Sequence, residues 1–187
     1  MTRFKDKYRI ETTRLPGWNY ASAGWYFVTI CTRDQQPFFG HIENGDMYLS
    51  PIGEIAAQFW QEIPRHTVGH VSLDVFVVMP NHVHGIVVIQ DTPVETLHCN
   101  VSTDNVDKNL MSTISPQAGS LGAIIRSYKS AVTRWCRQNG YAEFGWQSRF
   151  YDHVIRNENA LHNIRQYISE NPSRWEMDQN HPDNLWV

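Results

Sequence analysis

The chain has 187 residues, enough for one domain with a full hydrophobic core but too few for two ordinary domains. Its formal net charge is −3, so no global positive field attracts nucleic acid, and any basic surface for such a partner must be local. The three cysteines form no Cys-x-x-Cys pair and no apolar run approaches the ~20 residues that cross a bilayer, which favours a cytoplasmic protein with reduced thiols and no membrane partner.

The N-terminal part of the chain predicts a basic arm, a strand and a hairpin. Residues 1–20 carry five basic and two acidic side chains without apolar periodicity, which is typical of an extended arm, either a solvated tail or a phosphate-contacting segment. Residues 24–32 are aromatic and β-branched and predict the first central strand. Two short apolar runs, 38–42 and 47–49, flank an Asn-Gly pair that suits a tight turn, so we expect a small edge hairpin.

A helix and two strands follow. Ser50 is a predicted N-cap with Pro51 at the first helical position, and apolar residues recur at helical spacing up to Pro64. Residues 71–79 and 82–90 are apolar runs on either side of a Pro-Asn break. They predict two short buried strands that meet at a tight turn.

His82 and His84 open the second of these strands. Because alternate side chains of a strand share a face, both imidazoles should leave the sheet on the same side. Two neutral imidazoles so placed can share one divalent cation, and histidines in an apolar strand need a ligand or hydrogen bonds to offset their desolvation. The alternative is a pair of polar residues at a strand end without any ligand.

The second half of the chain predicts a long connection, two helices and a strand. Residues 91–117 have no hydrophobic period and are interpreted as a flexible loop. Residues 121–139 carry one apolar stripe and predict the best helix of the chain. Residues 145–156 predict the fourth main strand with its lead-in loop, and residues 158–169 predict a C-terminal helix. This order is the ferredoxin-like βαββαβ arrangement of an α+β fold, an antiparallel sheet with both long helices on one face, in a single domain over 1–187.

Phosphodiester chemistry at a metal also needs a nucleophile, either water or a side chain such as a tyrosine. Tyr128 is one candidate, although it falls on the apolar stripe of its helix and can equally be a core residue whose hydroxyl exits past the core. Tyr151 and Tyr141 are rivals. Candidates for a third metal ligand are Gln147, His153 and Asp152.

The local charge favours nucleic acid more than the total does. Residues 120–156 contain six basic and two acidic side chains, a net charge of +4, interleaved with aromatic residues. Such a mixture is typical of a groove that contacts phosphates and stacks bases, but a solvated helix face above core aromatics has the same composition.

Three stretches together carry a resemblance to a known family. They are the run Val-Met-Pro-Asn-His-Val-His at 78–84, the segment 119–133 around Tyr128, and the stretch from Trp146-Gln147 to Asn171-Pro172. In this combination the chain resembles the single-tyrosine HUH transposases, and among them the REP-associated tyrosine transposases. The resemblance spans nearly the whole chain except the loop at 91–117.

The resemblance implies a site and a reaction. His82 and His84 would be ligands of Mg²⁺ or Mn²⁺, and Tyr128 would attack a phosphate of single-stranded DNA beside a hairpin, leaving a 5′-phosphotyrosine and a free 3′-hydroxyl. Phosphate contacts are expected from four basic residues: Arg126, Lys129, Arg149 and Arg156. A monomer and a homodimer that exchanges the tyrosine helix are both open.

One position departs from the family pattern. Related insertion-sequence transposases carry a polar metal ligand one helical turn after the tyrosine, whereas Val132 stands there in this chain. The third ligand would then come from Gln147 or His153, or the site would be weak. A hairpin-binding protein without cleavage therefore stays open, as does a metal-dependent phosphohydrolase that uses water, although Ile86 stands where the third histidine of the histidine-triad hydrolases would be.

Overall fold

The computed structural model describes residues 14–67, 70–91 and 116–178. Most of the predicted arm at 1–20 and of the predicted loop at 91–117 lies outside the described residues, so both stay predictions. Within the described part, no helix is both long and apolar enough to cross a membrane.

The described residues form six strands and three long helices. The strands are β1 (Gly24–Cys31), β2 (Gly40–Glu43), β3 (Asp46–Leu49), β4 (Val71–Met79), β5 (His82–Ile89) and β6 (Tyr151–Ile155). The helices are α1 (Pro51–Glu62), α2 (Leu121–Gln138) and α3 (Glu158–Glu170), followed by a 3₁₀ segment, Pro172–Met177. The main sheet has the order β4-β5-β1-β6 with every pair antiparallel, which confirms the ferredoxin-like α+β fold.

The helices begin where the sequence places polar caps. Ser50 Oγ accepts a hydrogen bond from the Gly53 amide at 3.1 Å, and Asn157 Oδ1 accepts one from the Ala160 amide at 2.8 Å. Each cap satisfies an amide that the first helical turn leaves without a partner.

The hairpin of β2 and β3 turns at Asn44 and Gly45, whose φ angles are +53° and +83°. Asparagine and glycine tolerate this left-handed backbone better than other residues, as the sequence predicted. Among the described residues, the hairpin strands pair with each other in a separate two-stranded sheet, which contacts the edge strand β4 of the main sheet.

Helices α1 and α2 cover one face of the main sheet, as predicted. Their apolar stripes, which include Trp60 and Ile125, pack on β-strand residues such as Val83 and Val87. Trp60 lies so close to β5 at Gly85 that a Cβ there would collide with the indole ring. Glycine at this position therefore lets the largest side chain of α1 reach the sheet.

Helix α3 covers the opposite face. Leu161 and Ile168 of α3 pack on Phe27 and Ile86 of the sheet. Arg165 clamps the helix to β4, with guanidinium–carboxylate distances to Asp74 of 3.0 and 2.6 Å. Because Ile86 faces α3 and side chains alternate along β5, His82 and His84 face α3 as well.

Candidate functional site

The histidine pair is buried in the protein. His82 and His84 are 0% and 1% exposed, and their ring centroids are 4.3 Å apart. Both imidazoles lie on the same side of the sheet, as predicted from their spacing. Trp175 packs over His82 with a ring-centroid distance of 5.9 Å and limits the access of water.

A neighbouring side chain holds one nitrogen of each imidazole. His82 Nδ1 lies 2.8 Å from Asn81 Oδ1, and His84 Nδ1 lies 2.9 Å from Thr29 Oγ1. Donation of Nδ1–H to these oxygens leaves the Nε2 lone pair of each ring for a ligand. Second contacts of this kind fix the tautomer and the ring orientation of metal-binding histidines.

Burial keeps both rings neutral. Loss of hydration lowers the pKa of His82 to about 3. It also lowers the pKa of His84 well below its usual value, and repulsion from His82 acts in the same direction. Neutral imidazole is the form that binds a metal ion.

Helix α3 and the segment after it bring three further polar side chains to the histidines. Tyr167 Oη lies 3.2 Å from His84 Nε2 and donates to Asp178 Oδ2 at 3.3 Å. Asn171, one helical turn after Tyr167, donates through Nδ2 to the same Asp178 oxygen at 2.9 Å. Tyr167 is 37% exposed, so its ring reaches from the buried histidines to the surface.

The hydroxyl of Tyr167 is held in its protonated form. Burial raises the pKa of Tyr167 to about 12, and the negative charge of Asp178 acts in the same direction. A phenol in this position can react as a nucleophile only if its proton is accepted by a neighbouring group.

The residues present fit a divalent cation. Ligand atoms of His82, His84 and Asp178 all lie within 4.8 Å of one another. Two buried polar atoms of this cluster, His82 Nε2 and Asn171 Oδ1, have no hydrogen-bond partner within the part of the chain that the structure describes. An unpartnered buried polar atom costs about 1–3 kcal/mol, a cost that a bound cation would remove. Two imidazoles with a carboxylate are a common ligand set for divalent transition-metal ions.

Tyr128 is not at this site. It belongs to the core between α2, α1 and the sheet, on the face opposite to the histidines, and it is 3% exposed. Its hydroxyl donates to the Ala56 carbonyl at 3.0 Å, and its ring packs edge-on against Trp60. Burial raises the pKa of Tyr128 far above its usual value. The expected position of Tyr128 beside the histidines is wrong, because its place on the apolar stripe makes it a core residue.

The candidate third ligands also lie apart from the histidines. Gln147 is exposed and lines a cleft beside α2. His153 is exposed on β6 opposite Phe27, so β1 separates it from β5 by about 10 Å. Asp152 faces the α2 side, where it pairs with Arg14 at 3.4 Å. The structure instead brings Asp178 and Asn171 to the histidine pair.

The rival tyrosines occupy different surroundings. Tyr151 is 44% exposed on the histidine face, but it pairs with Thr29 across β1 and so lies two strands from His84. Tyr141 stacks on Trp135 after the end of α2, with ring centroids 5.8 Å apart. Only Tyr167, among the described tyrosines, has its hydroxyl within hydrogen-bond distance of either histidine.

The four predicted phosphate contacts divide into two groups. Arg126 and Lys129 line the cleft beside α2. Arg149 and Arg156 are exposed and lie just before and just after β6 in the chain. The Arg156 guanidinium packs over the Trp18 ring, 6.0 Å from its centre. No DNA contact of these residues is tested by the structure, so their role stays a prediction.

The sequence contained a signal for Tyr167. The transposases that the sequence resembles carry a polar residue one helical turn after the tyrosine. Asn171 stands four residues after Tyr167, whereas Val132 stands four residues after Tyr128. Asn171-Pro172 ends one of the stretches that carry the resemblance, but the resemblance itself points to Tyr128 as the nucleophile. Asp178 had no comparable signal, because it reaches the site from the 3₁₀ segment far along the chain.

Fold and site together define an α+β protein with a ferredoxin-like sheet and a buried histidine pair that faces a tyrosine of the last long helix. The sequence matches no protein-family model. It is 39% identical over 176 residues to an uncharacterised protein of Haemophilus influenzae, a match that covers 92% of this chain and 93% of that protein. The chain belongs to the same family as the Haemophilus influenzae protein.

The fold is similar to a solved structure of a REP-associated tyrosine transposase bound to a REP hairpin. The TM-score is 0.57 at 18% sequence identity, and the match covers 93% of this chain and 76% of the transposase chain. At this level of identity the similarity establishes the shared fold.

Proposed function

We propose that this protein is a metal-dependent DNA strand-transferase of the single-tyrosine HUH type, with Tyr167 as its nucleophile. The observation that carries the proposal is the 3.2 Å distance between Tyr167 Oη and His84 Nε2 on the α3 face of the sheet. A phosphate held at the histidines would meet this phenol directly. The substrate we propose is single-stranded DNA next to a hairpin.

The reaction forms one phosphate ester and breaks another. Tyr167 Oη attacks the scissile phosphorus, the bond to the 3′-oxygen breaks, and the DNA is left with a free 3′-hydroxyl and a 5′-phosphate joined to the tyrosine. The phenol proton passes to the carboxylate of Asp178, which already accepts its hydrogen bond, and the departing 3′-oxygen takes up a proton from water to become the hydroxyl. Attack by a 3′-hydroxyl on the phosphotyrosine reverses the step and joins two DNA ends.

His82 and His84 would hold the cation through Nε2, with Asp178 and Asn171 as further donors. The divalent ion, Mg²⁺ or Mn²⁺, supplies positive charge that polarises the phosphoryl oxygens and stabilises the leaving oxygen. Trp175 and the burial of both imidazoles keep the ligand atoms away from bulk water.

Two observations support this choice over a binding protein that does not cleave. The doubt about cleavage came from Val132, but the spacing of Tyr167 and Asn171 supplies the polar residue that the resemblance requires. The solved structure with a similar fold is a tyrosine transposase bound to a hairpin, which favours the same class of substrate here.

The test is formation of a covalent protein–DNA adduct. The protein is incubated with Mn²⁺ and a pool of 3′-labelled oligonucleotides that share one hairpin and carry randomised flanks, and adducts are separated on a denaturing gel. We expect adducts with the wild type and with Tyr128→Phe, and none with Tyr167→Phe. An adduct that survives Tyr167→Phe but disappears with Tyr128→Phe would overturn the assignment.

A further inference from the structure

A cleft of about 910 Å³ lies beside α2, on the side of the molecule away from Tyr167. Among the residues that the structure describes, its lining contains no Asp or Glu. Six cationic side chains line it: Arg14, Arg33, Arg126, Lys129, Arg134 and Arg137. We call this feature the α2 cleft. In a chain of net charge −3, such a local concentration of positive charge favours the binding of an anionic partner.

The cations of α2 form a row along the cleft. Arg126, Arg134 and Arg137 are exposed, and the first and last of them are separated by about three helical turns. From the first to the last they span about 16 Å of the helix axis. A row of this length suits a polyanion better than a single phosphate, because a duplex presents one charge per ~1.7 Å of its axis.

The floor of the α2 cleft is aromatic but not available for stacking. Phe144 is 6% exposed and packs edge-on against Trp146, with ring centroids 5.2 Å apart. Trp146 donates through Nε1 to the Lys129 carbonyl at 3.1 Å. The Lys129 ammonium lies 6.0 Å from the centre of the Trp146 ring, and the Arg14 guanidinium lies 5.3 Å from the centre of the Phe150 ring. Among the described residues, each aromatic ring of the lining is therefore already covered by another ring or by a cation, and the cleft offers mainly charge and hydroxyl groups.

A short chain of contacts connects the α2 cleft with the histidine site. The Lys129 ammonium donates to the Gln147 carbonyl, and the Gln147 amide donates to the Cys31 carbonyl at 3.0 Å. Cys31 ends β1 directly opposite His82. The cleft and the site therefore lie on opposite faces of the sheet but at the same end of it, so one nucleic acid can reach both around this end.

We propose that the α2 cleft binds the phosphate backbone of double-stranded DNA, namely the paired stem adjoining the strand that is cut. The choice of DNA rests on the proposed function. The choice of a duplex rests on the cleft itself, because a lining that neutralises phosphates and offers no base platform suits bases that are already paired.

The test measures binding without chemistry. Tyr167→Phe protein is titrated, in a chelator, with a fluorescent hairpin that has a long stem and with oligothymidine of the same length, at several salt concentrations. The double change Arg134→Gln and Arg137→Gln should weaken hairpin binding about ten-fold and lower the salt slope by about 1.8, while oligothymidine binding stays unchanged. Arg65→Gln, at an exposed cation outside the cleft lining, is the matched control and should leave both unchanged.

Each result decides one question. Hairpin binding of the double variant that equals that of the Arg65→Gln control overturns the α2 cleft as a DNA site. An equal loss of hairpin and oligothymidine binding overturns the assignment to the paired stem. If the double variant binds the hairpin normally while the wild type still forms adducts, the proposed function is kept and only the α2 cleft proposal fails. If hairpin binding depends on the cleft but no adduct forms, the cleft proposal is kept and strand transfer is contradicted.

Discussion

Acid should destabilise this protein through His82, and the change His82→Gln should remove that effect. Burial lowers the pKa of His82 from 6.5 to about 3. Between these two values the unfolded chain takes up a proton on His82 and the folded chain does not. The contribution of neutral His82 to the free energy of unfolding is therefore fully present above pH 6.5. It is lost as the pH falls below 6.5, at about 1.4 kcal/mol per pH unit.

The expected magnitude follows from this slope. From pH 6.5 to pH 4.5, His82 alone should lower the free energy of unfolding by about 2 kcal/mol, a loss that a glutamine at this position cannot show. Urea unfolding of both proteins in a chelator, at half-unit steps of pH, measures the difference. His66→Gln, a change at an exposed histidine, is the control and should follow the wild type. Parallel loss of stability in the wild type and His82→Gln would refute a neutral, buried His82.

Three further outcomes follow from the packing and the site. Tyr128→Phe removes the hydrogen bond to the Ala56 carbonyl and should lower the free energy of unfolding in urea by about 1 kcal/mol; an unchanged stability would contradict its place in the core. Gly85→Ala pushes a Cβ against Trp60 and should cost about 1–3 kcal/mol with a changed near-ultraviolet tryptophan signal, whereas a neutral effect would contradict the close approach. Mn²⁺ at 100 times its dissociation constant should stabilise the wild type by about 2.7 kcal/mol but not His84→Ala, and equal stabilisation of both would place the ion elsewhere.

The elements of this fold could be predicted because their signals are local. Ser50 and Asn157 cap the helices that they precede, and the Asn44-Gly45 pair turns the hairpin as expected. The alternation of β5 also placed His82 and His84 on one side of the sheet. Each of these features depends on a few neighbouring residues whose preferences agree with the fold.

The site could be predicted only in part, because it depends on which helix covers which face of the sheet. Alternation shows that His82 and His84 share a face, but it does not tell whether α2 or α3 lies over it. Tyr128 was preferred because it lies among basic residues and within the resembling segment, yet its membership of an apolar stripe indicated burial. Asp178 approaches from a distant 3₁₀ segment, and no spacing in the sequence connects it with β5.

The residue that bonds covalently to DNA can be identified directly. Adducts formed by the wild-type protein with Mn²⁺ and the hairpin pool can be trimmed with nuclease, digested with protease and sequenced by mass spectrometry. We predict a nucleotide phosphate on the peptide that contains Tyr167 and on no other. A nucleotide on Tyr128 or on the exposed Tyr151 would contradict the claim that α3 supplies the nucleophile to the histidine pair.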